Sequence, residues 1–199
     1  DHVGLLGDSL DKIADRKAGI IKNGQLCIYA QELEELERAV KKETDKSINV
    51  LRKYKDLEVT LDTENYKTIV KILKEENCEN KKKTINSKNI EKTFILSLFG
   101  KFQANNFLIA YEIAKIYNIS DEVIQKGIDE ISLAGRFEIF SKNPVTILDV
   151  AHNDDSVRVL TENLAELFKN NEVIFILSIL GTKDIKNIFS KILEKNYKI

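Results

Sequence analysis

Lys17, His2 and His152 are the side chains whose placement carries the most chemistry in this 199-residue sequence. At roughly 100° of turn per residue, Leu10, Ile13, Ala14, Ile20 and Ile21 form one apolar arc of a helix predicted over residues 8–21. Lys17 falls in the middle of that arc, whereas Lys12, Asp15 and Arg16 point elsewhere. An ammonium group on a buried face is costly unless it is paired or neutralised, and desolvation favours the uncharged amine. An uncharged lysine amine reacts with carbon dioxide to give a carbamate, whose two oxygens suit a hard cation. The plainer alternative is a lysine that snorkels from a helix end.

The two histidines stand in suggestive settings. Asp1-His2-Val3-Gly4-Leu5-Leu6-Gly7 reads as a glycine-containing loop leading into the Lys17 helix. In Ile147-Leu148-Asp149-Val150-Ala151-His152-Asn153 an apolar strand runs straight into polar residues and then a helix. The carboxyl end of a strand in a parallel sheet is where ligands bind in α/β folds. A helix-capping turn would also account for Asp149 and Asn153, but it needs no histidine.

Stepping outward, short elements must hold these residues. The helix over 8–21 is capped by Asp8 or Ser9. Gln25–Ala30 is predicted as a strand, Gln31–Lys46 as a charged amphipathic helix with Leu33, Leu36 and Val40 inward, and Ile48–Leu51 as a short strand. Alternation in Leu57–Leu61 and β-favouring runs near Tyr66–Leu73 and Thr93–Leu98 predict a small antiparallel section, with a loop over Asn77–Asn89. Helices follow over Asn105–Tyr117 and Ser120–Ile131, the second capped by Ser120. Strands over Phe137–Phe140, Val145–Val150 and Val173–Leu180 then alternate with helices over Asp155–Phe168 and Lys183–Asn196. That alternation predicts a parallel α/β unit, with a domain boundary near Ser132–Gly135.

Composition excludes several classes. Lys+Arg total 31 and Asp+Glu 32, so no basic excess draws in nucleic acid. No apolar run reaches membrane-spanning length and no signal peptide is visible, so a cytoplasmic location is expected. Cys27 and Cys78 show neither CxxC nor metal-ligand spacing and read as inert thiols of a reducing compartment. The sequence starts at Asp1 inside a motif and contains no methionine, so a fragment is expected.

Five segments, in order, resemble one family. Asp1-His2, Leu6-Gly7 and Lys17-Ala18-Gly19-Ile20 are similar to DHxxxLG…IAxxKAGI. Leu98-Phe99-Gly100-Lys101-Phe102-Gln103-Ala104-Asn105-Asn106 is similar to LLGxHQxxNA. Gly135-Arg136-Phe137-Glu138 resembles PGRxE, Leu148–Asn153 resembles LDxAHN, and Gly181-Thr182-Lys183-Asp184 resembles a later xxDKD element. Together they resemble the C-terminal part of the folylpolyglutamate synthases/dihydrofolate synthases of the Mur ligase superfamily.

The resemblance implies an α/β fold: the remainder of a Mur-ligase-type central ATP-binding domain over 1–133, then a Rossmann-like C-terminal domain over 134–199, both incomplete. It implies a monomeric ATP-dependent ligase that uses Mg2+ and adds L-glutamate to folate or dihydropteroate through an acyl phosphate. Residue by residue, His2 matches a magnesium ligand and Lys17 the lysine that is carbamylated. Asn106, Arg136 and Asp149 match ATP contacts, and His152 lies near the reacting phosphate and the incoming glutamate. Phe102 and Phe107 depart from the family's histidine and alanine, which touches the adenine neighbourhood. Ala134 and Asp154 each stand where the family has proline. No GxxGKxS loop is present, so the piece alone is expected to be inactive. The alternatives are another Mur-type amide ligase acting on peptidoglycan precursors, or a non-catalytic nucleotide-binding fragment.

Overall fold

The computed structural model describes residues 7–74, 89–179, 185–195 and 197–199. The chain divides into two compact units. The first runs to Asp62 and resumes over Lys67–Ile131; the second holds Ser132–Ile199 and the turn Thr63–Tyr66.

In the first unit, α1 (Leu10–Ala18) starts at Ser9, whose Oγ accepts from the Lys12 N–H at 3.4 Å. It packs on α2 (Glu34–Glu43) through small residues, Ala14 and Ala18 against Ala39. Two ion pairs spaced one turn apart flank this contact: Arg38 to Asp11 at 2.7 Å and Lys42 to Asp15 at 2.8 Å. Strand β1 (Cys27–Tyr29) pairs in parallel with β2 (Ser47–Asn49), and the short helix α3 (Val50–Lys53) follows at once.

An antiparallel sheet carries most of this unit's core. Strands β3 (Leu57–Asp62), β4 (Lys67–Lys74) and β5 (Asn89–Leu96) lie in that spatial order. Helix α4 (Gln103–Ile116) lays Ala104, Phe107, Leu108 and Tyr111 against Val70, Phe94 and Leu96. Those helical positions recur at three and four residues, as one buried face requires. Phe107, which stands where the family has alanine, is a core residue, with its ring 4.9 Å from Phe94 and 5.5 Å from Tyr111. At the back of α4, buried Glu112 accepts from Lys53 Nζ at 2.6 Å and from the Tyr54 hydroxyl at 2.7 Å. Burial first, and then this hydrogen bond, push the Tyr54 phenol well above its ordinary range. Helix α5 (Asp121–Glu130) begins at Ser120, as its sequence predicts, and Gln125 pairs both its amide atoms with the backbone of Ile95 on β5.

In the second unit, β6 (Glu138–Lys142) and β7 (Val145–Leu148) form an antiparallel hairpin, with Glu138 opposite Leu148. Helix α6 (Asp154–Leu167) and helix α7 (Ile185–Leu193) pack through Val157, Ile188 and Ile192. Of the strand expected over Val173–Leu180, residues 173–179 are described and form no ladder strand. Its described part pairs only through a parallel bridge between Ile174 and Lys198. Exposure still alternates along it, with Ile176 98% exposed while Phe175 and Leu177 turn inward. Within this unit β7 pairs with β6 in the antiparallel sense, while the bridge of Ile174 to Lys198 is parallel. A β-favouring run does not form a strand without a partner backbone for its N–H and C=O groups. The loop expected over Asn77–Asn89 falls almost wholly outside the described residues.

Candidate functional site

A hairpin returns the chain to where it started. The Gly135-Arg136-Phe137 segment before β6 and the Asp149–Asn153 segment after β7 consequently lie side by side. Two hydrogen bonds join them, Val150 to Gly135 and Phe137 to Asp149, and one more closes each segment on itself. The Val150 N–H donates to the Gly135 carbonyl at 2.9 Å. The Phe137 N–H donates to Asp149 Oδ2 at 2.9 Å, and the Ala151 N–H to Asp149 Oδ1 at 2.7 Å. The Gly135 N–H donates to Glu138 Oε2 at 2.8 Å.

This turn demands unusual backbone. Gly135 has φ +67° and Phe137 φ +51°, a region a bulky residue enters only when its surroundings over-determine it. Phe137 is held there by burial, at 4% exposed. Between the two, Arg136 is exposed, so its guanidinium projects from a backbone that is fixed on both sides. A Cβ at Gly135 would stand 2.7 Å from Val150 Cγ1, which only glycine avoids.

The His152 loop is equally ordered. His152 Nδ1 lies 2.9 Å from the Val150 carbonyl. A carbonyl only accepts, so Nδ1 is the donor in this contact. The His152 and Asn153 N–H groups both donate to Ser156 Oγ, each at 3.1 Å, and Asn153 Oδ1 accepts from the Ser156 N–H at 2.8 Å. That reciprocal pair is a capping box at the start of α6. The capping turn weighed for this segment is thus present, made by Asn153 and Ser156, with His152 exposed beside it. Sequence reasoning gave Ser156 and Glu138 no role, although the Asn153-x-x-Ser156 spacing carried the capping signal.

The remaining candidates belong to the first unit. Lys17 is exposed, which corrects the expectation of a buried amine. The contact face of α1 is set by Ala14 and Ala18, and Lys17 lies about 80° round the helix from its centre. Leu10 and Ile20 are also exposed, at 56% and 78%, because the two helices approach through alanines rather than through large side chains. Asn106 is exposed on α4 and donates to the buried Gln103 Oε1 at 2.9 Å. The turn before α4 is held by Thr68, fully buried, whose hydroxyl donates to the Leu98 carbonyl and accepts from the Gly100 N–H, both at 2.9 Å. His2 and Gly181–Asp184 lie outside the described residues, as does Cys78. Cys27 is half-buried, and burial raises its thiol pKa, which opposes reactivity.

Among the described residues, no cluster of three His, Cys, Asp or Glu is placed to hold a metal ion. A cavity of about 420 Å³ opens between β7, α6, α7 and residues 173–179. Val157, Leu160, Leu164, Phe168, Ile188 and Ile192 give it a largely apolar wall, with Asp149 at its margin. Among the described residues, no helix is long and apolar enough to cross a membrane.

Comparison with known proteins places these features. Residues 135–197 match the family of the Mur ligase glutamate ligase domain. The dihydrofolate synthase/folylpolyglutamate synthase of Bacillus subtilis is 27% identical over 96% of this chain and 44% of its own length. The probable dihydrofolate synthetase of Schizosaccharomyces pombe is 29% identical over 98% of this chain and 45% of its own. A solved FPGS complex with AMPPCP and folate superposes with a TM-score of 0.79 at 21% identity, covering 100% of this chain and 47% of that one. The chain therefore spans about half the length of the relatives it matches. In sequence and in fold, it resembles the C-terminal part of a folylpolyglutamate synthase/dihydrofolate synthase of the Mur ligase superfamily.

Proposed function

We propose that the chain is the C-terminal part of an ATP-dependent ligase that joins L-glutamate to folate or dihydropteroate through an acyl phosphate. The observation that carries this reading is the pairing of the Arg136 turn with the His152 loop, inside the segment that matches a glutamate ligase domain.

In the first step an acceptor carboxylate oxygen attacks the γ-phosphorus of ATP, giving an acyl phosphate and ADP. In the second, the glutamate amine attacks the acyl carbon, phosphate leaves, and the nitrogen gives up a proton. Arg136 offers phosphate oxygens a planar fork that keeps its charge. His152, protonated at Nδ1, presents Nε2 as the acceptor for the amine's proton. Nucleotide contacts by Asn106 and Asp149 follow from the resemblance. So do His2 and a carbamylated Lys17 as holders of magnesium. The exposure of Lys17 removes the burial argument for its carbamate, and the described residues do not by themselves build a magnesium site, so no step above runs through one.

The test is glutamate-dependent phosphate release from ATP by the complete enzyme carrying this chain. Dihydropteroate and tetrahydrofolate serve as acceptors, with a UDP-muramoyl peptide as the competing substrate. Turnover with the folate acceptors is expected; turnover with the muramoyl peptide alone sinks the folate reading. Lys17→Ala should abolish phosphate transfer, and undiminished turnover in that variant refutes a catalytic Lys17.

A further inference from the structure

We propose that Asp149 is a positioning residue, a strut that fixes the Arg136 turn and the His152 loop relative to each other, so that phosphate binding and glutamate binding depend on it together. The inference rests on the ligase reading above. It differs from a simple nucleotide contact in giving one carboxylate oxygen to the backbone of the Arg136 turn and the other to the turn of its own loop.

Asp149 Oδ2 accepts from the N–H of Phe137, the residue after Arg136, and Oδ1 accepts from the N–H of Ala151, the residue before His152. One short side chain therefore closes its own turn beside His152 and reaches across to the Arg136 turn, each bond at a residue adjacent to a candidate functional group. Hydrogen bonds to an ionised acceptor are the stronger kind, and a carboxylate provides two equivalent acceptors on a single methylene. Asparagine provides one acceptor and turns the other terminus into a donor, which would face an N–H. The Arg136 side chain is exposed, so its aim is set chiefly by its backbone. That backbone sits between two positive-φ residues, a conformation that surrounding contacts must hold. Glu138 closes the same turn from the other side by accepting from the Gly135 N–H.

The experiment measures KM for ATP, KM for glutamate and kcat in the complete enzyme, for wild type, Asp149→Asn, Arg136→Ala and the double variant. Asp149→Asn should raise both KM values about tenfold, and Arg136→Ala should cost less in the Asp149→Asn background than in wild type, as coupled residues do. A rise in the ATP KM alone would make Asp149 an ordinary nucleotide ligand and overturn the strut, as would additive effects in the double variant. A second measurement needs neither a variant nor turnover. In the wild-type protein, the Phe137 and Ala151 amides should show hydrogen-exchange protection factors within threefold of each other, since one group holds both. Protection of one amide with free exchange of the other overturns the proposal. A wild type that exchanges as expected but ligates no glutamate sinks the ligase reading and leaves the strut standing.

Discussion

The two units of this chain reach order by different routes. The first closes an apolar core in which Val50, Val70 and Leu108 are fully buried and the rings of Phe94, Phe107 and Tyr111 meet in tilted and edge-on contacts. Its sheet is antiparallel, with β4 central and paired along its length on both edges. The second unit buries a smaller cluster around Val157, Ile188 and Ile192, beside a cavity of about 420 Å³. Its apolar run over 173–179 leaves Ile174 and Ile176 facing outward. Yet this sparsely packed unit holds the most tightly specified loops, the Arg136 turn and the His152 cap, through charge-assisted and capping hydrogen bonds. Packing is non-directional and fixes an element's place, whereas hydrogen bonds fix the orientation of individual peptide groups. A site can therefore be well set on a modest core.

Substitutions in each unit test that contrast. The largest effect belongs to the first unit: Phe94→Ala should cost about 3–5 kcal/mol, read by urea unfolding followed by near-ultraviolet circular dichroism of the tyrosines. Ile188→Ala in the second unit should cost less, about 2 kcal/mol, because the Ile188 side chain is smaller than a phenylalanine ring and borders a cavity. Equal losses would erase the distinction. Next, Gly135→Ala should destabilise by about 1–3 kcal/mol, since φ is +67° and the new Cβ meets Val150 Cγ1 at 2.7 Å. Gly24→Ala, at φ +79° with open space around it, is the control and should cost only about 1 kcal/mol. If the two glycines respond alike in thermal unfolding, the close approach of the two loops is not a constraint. The smallest effect is Asn153→Ala, about 1 kcal/mol from loss of the α6 cap, with Asn153→Ser restoring most of it in the same assay.

Local signals were legible in the sequence where local physics decides. Ser9 and Ser120 start their helices as read, because a cap needs only the next three backbone N–H groups. The alternation over Leu57–Leu61 becomes β3, and the run read as a helix over Asn105–Tyr117 becomes α4. The Lys17 arc misled, since an apolar arc tells which residues can be buried and a partner helix tells which are. Here that partner presents Ala39, and the contact centres on Ala14 and Ala18. Phe107, read as a departure near a ligand, proves to be a core ring, because its environment is made by Phe94 from a distant strand.

The helix starts at Ser9 and Ser120, the antiparallel section, the α/β class and the order of the family-like motifs were readable from the residues alone, since each depends on neighbours within a few residues or on matched spacing. It took the folded chain to show that Lys17 faces solvent, that the described part of the Val173 run bridges through Ile174, and that Gly135–Phe137 and Asp149–His152 share one hydrogen-bonded corner. The physical reason is the same in each case: exposure and strand pairing belong to two segments at once, and the second segment is chosen by folding.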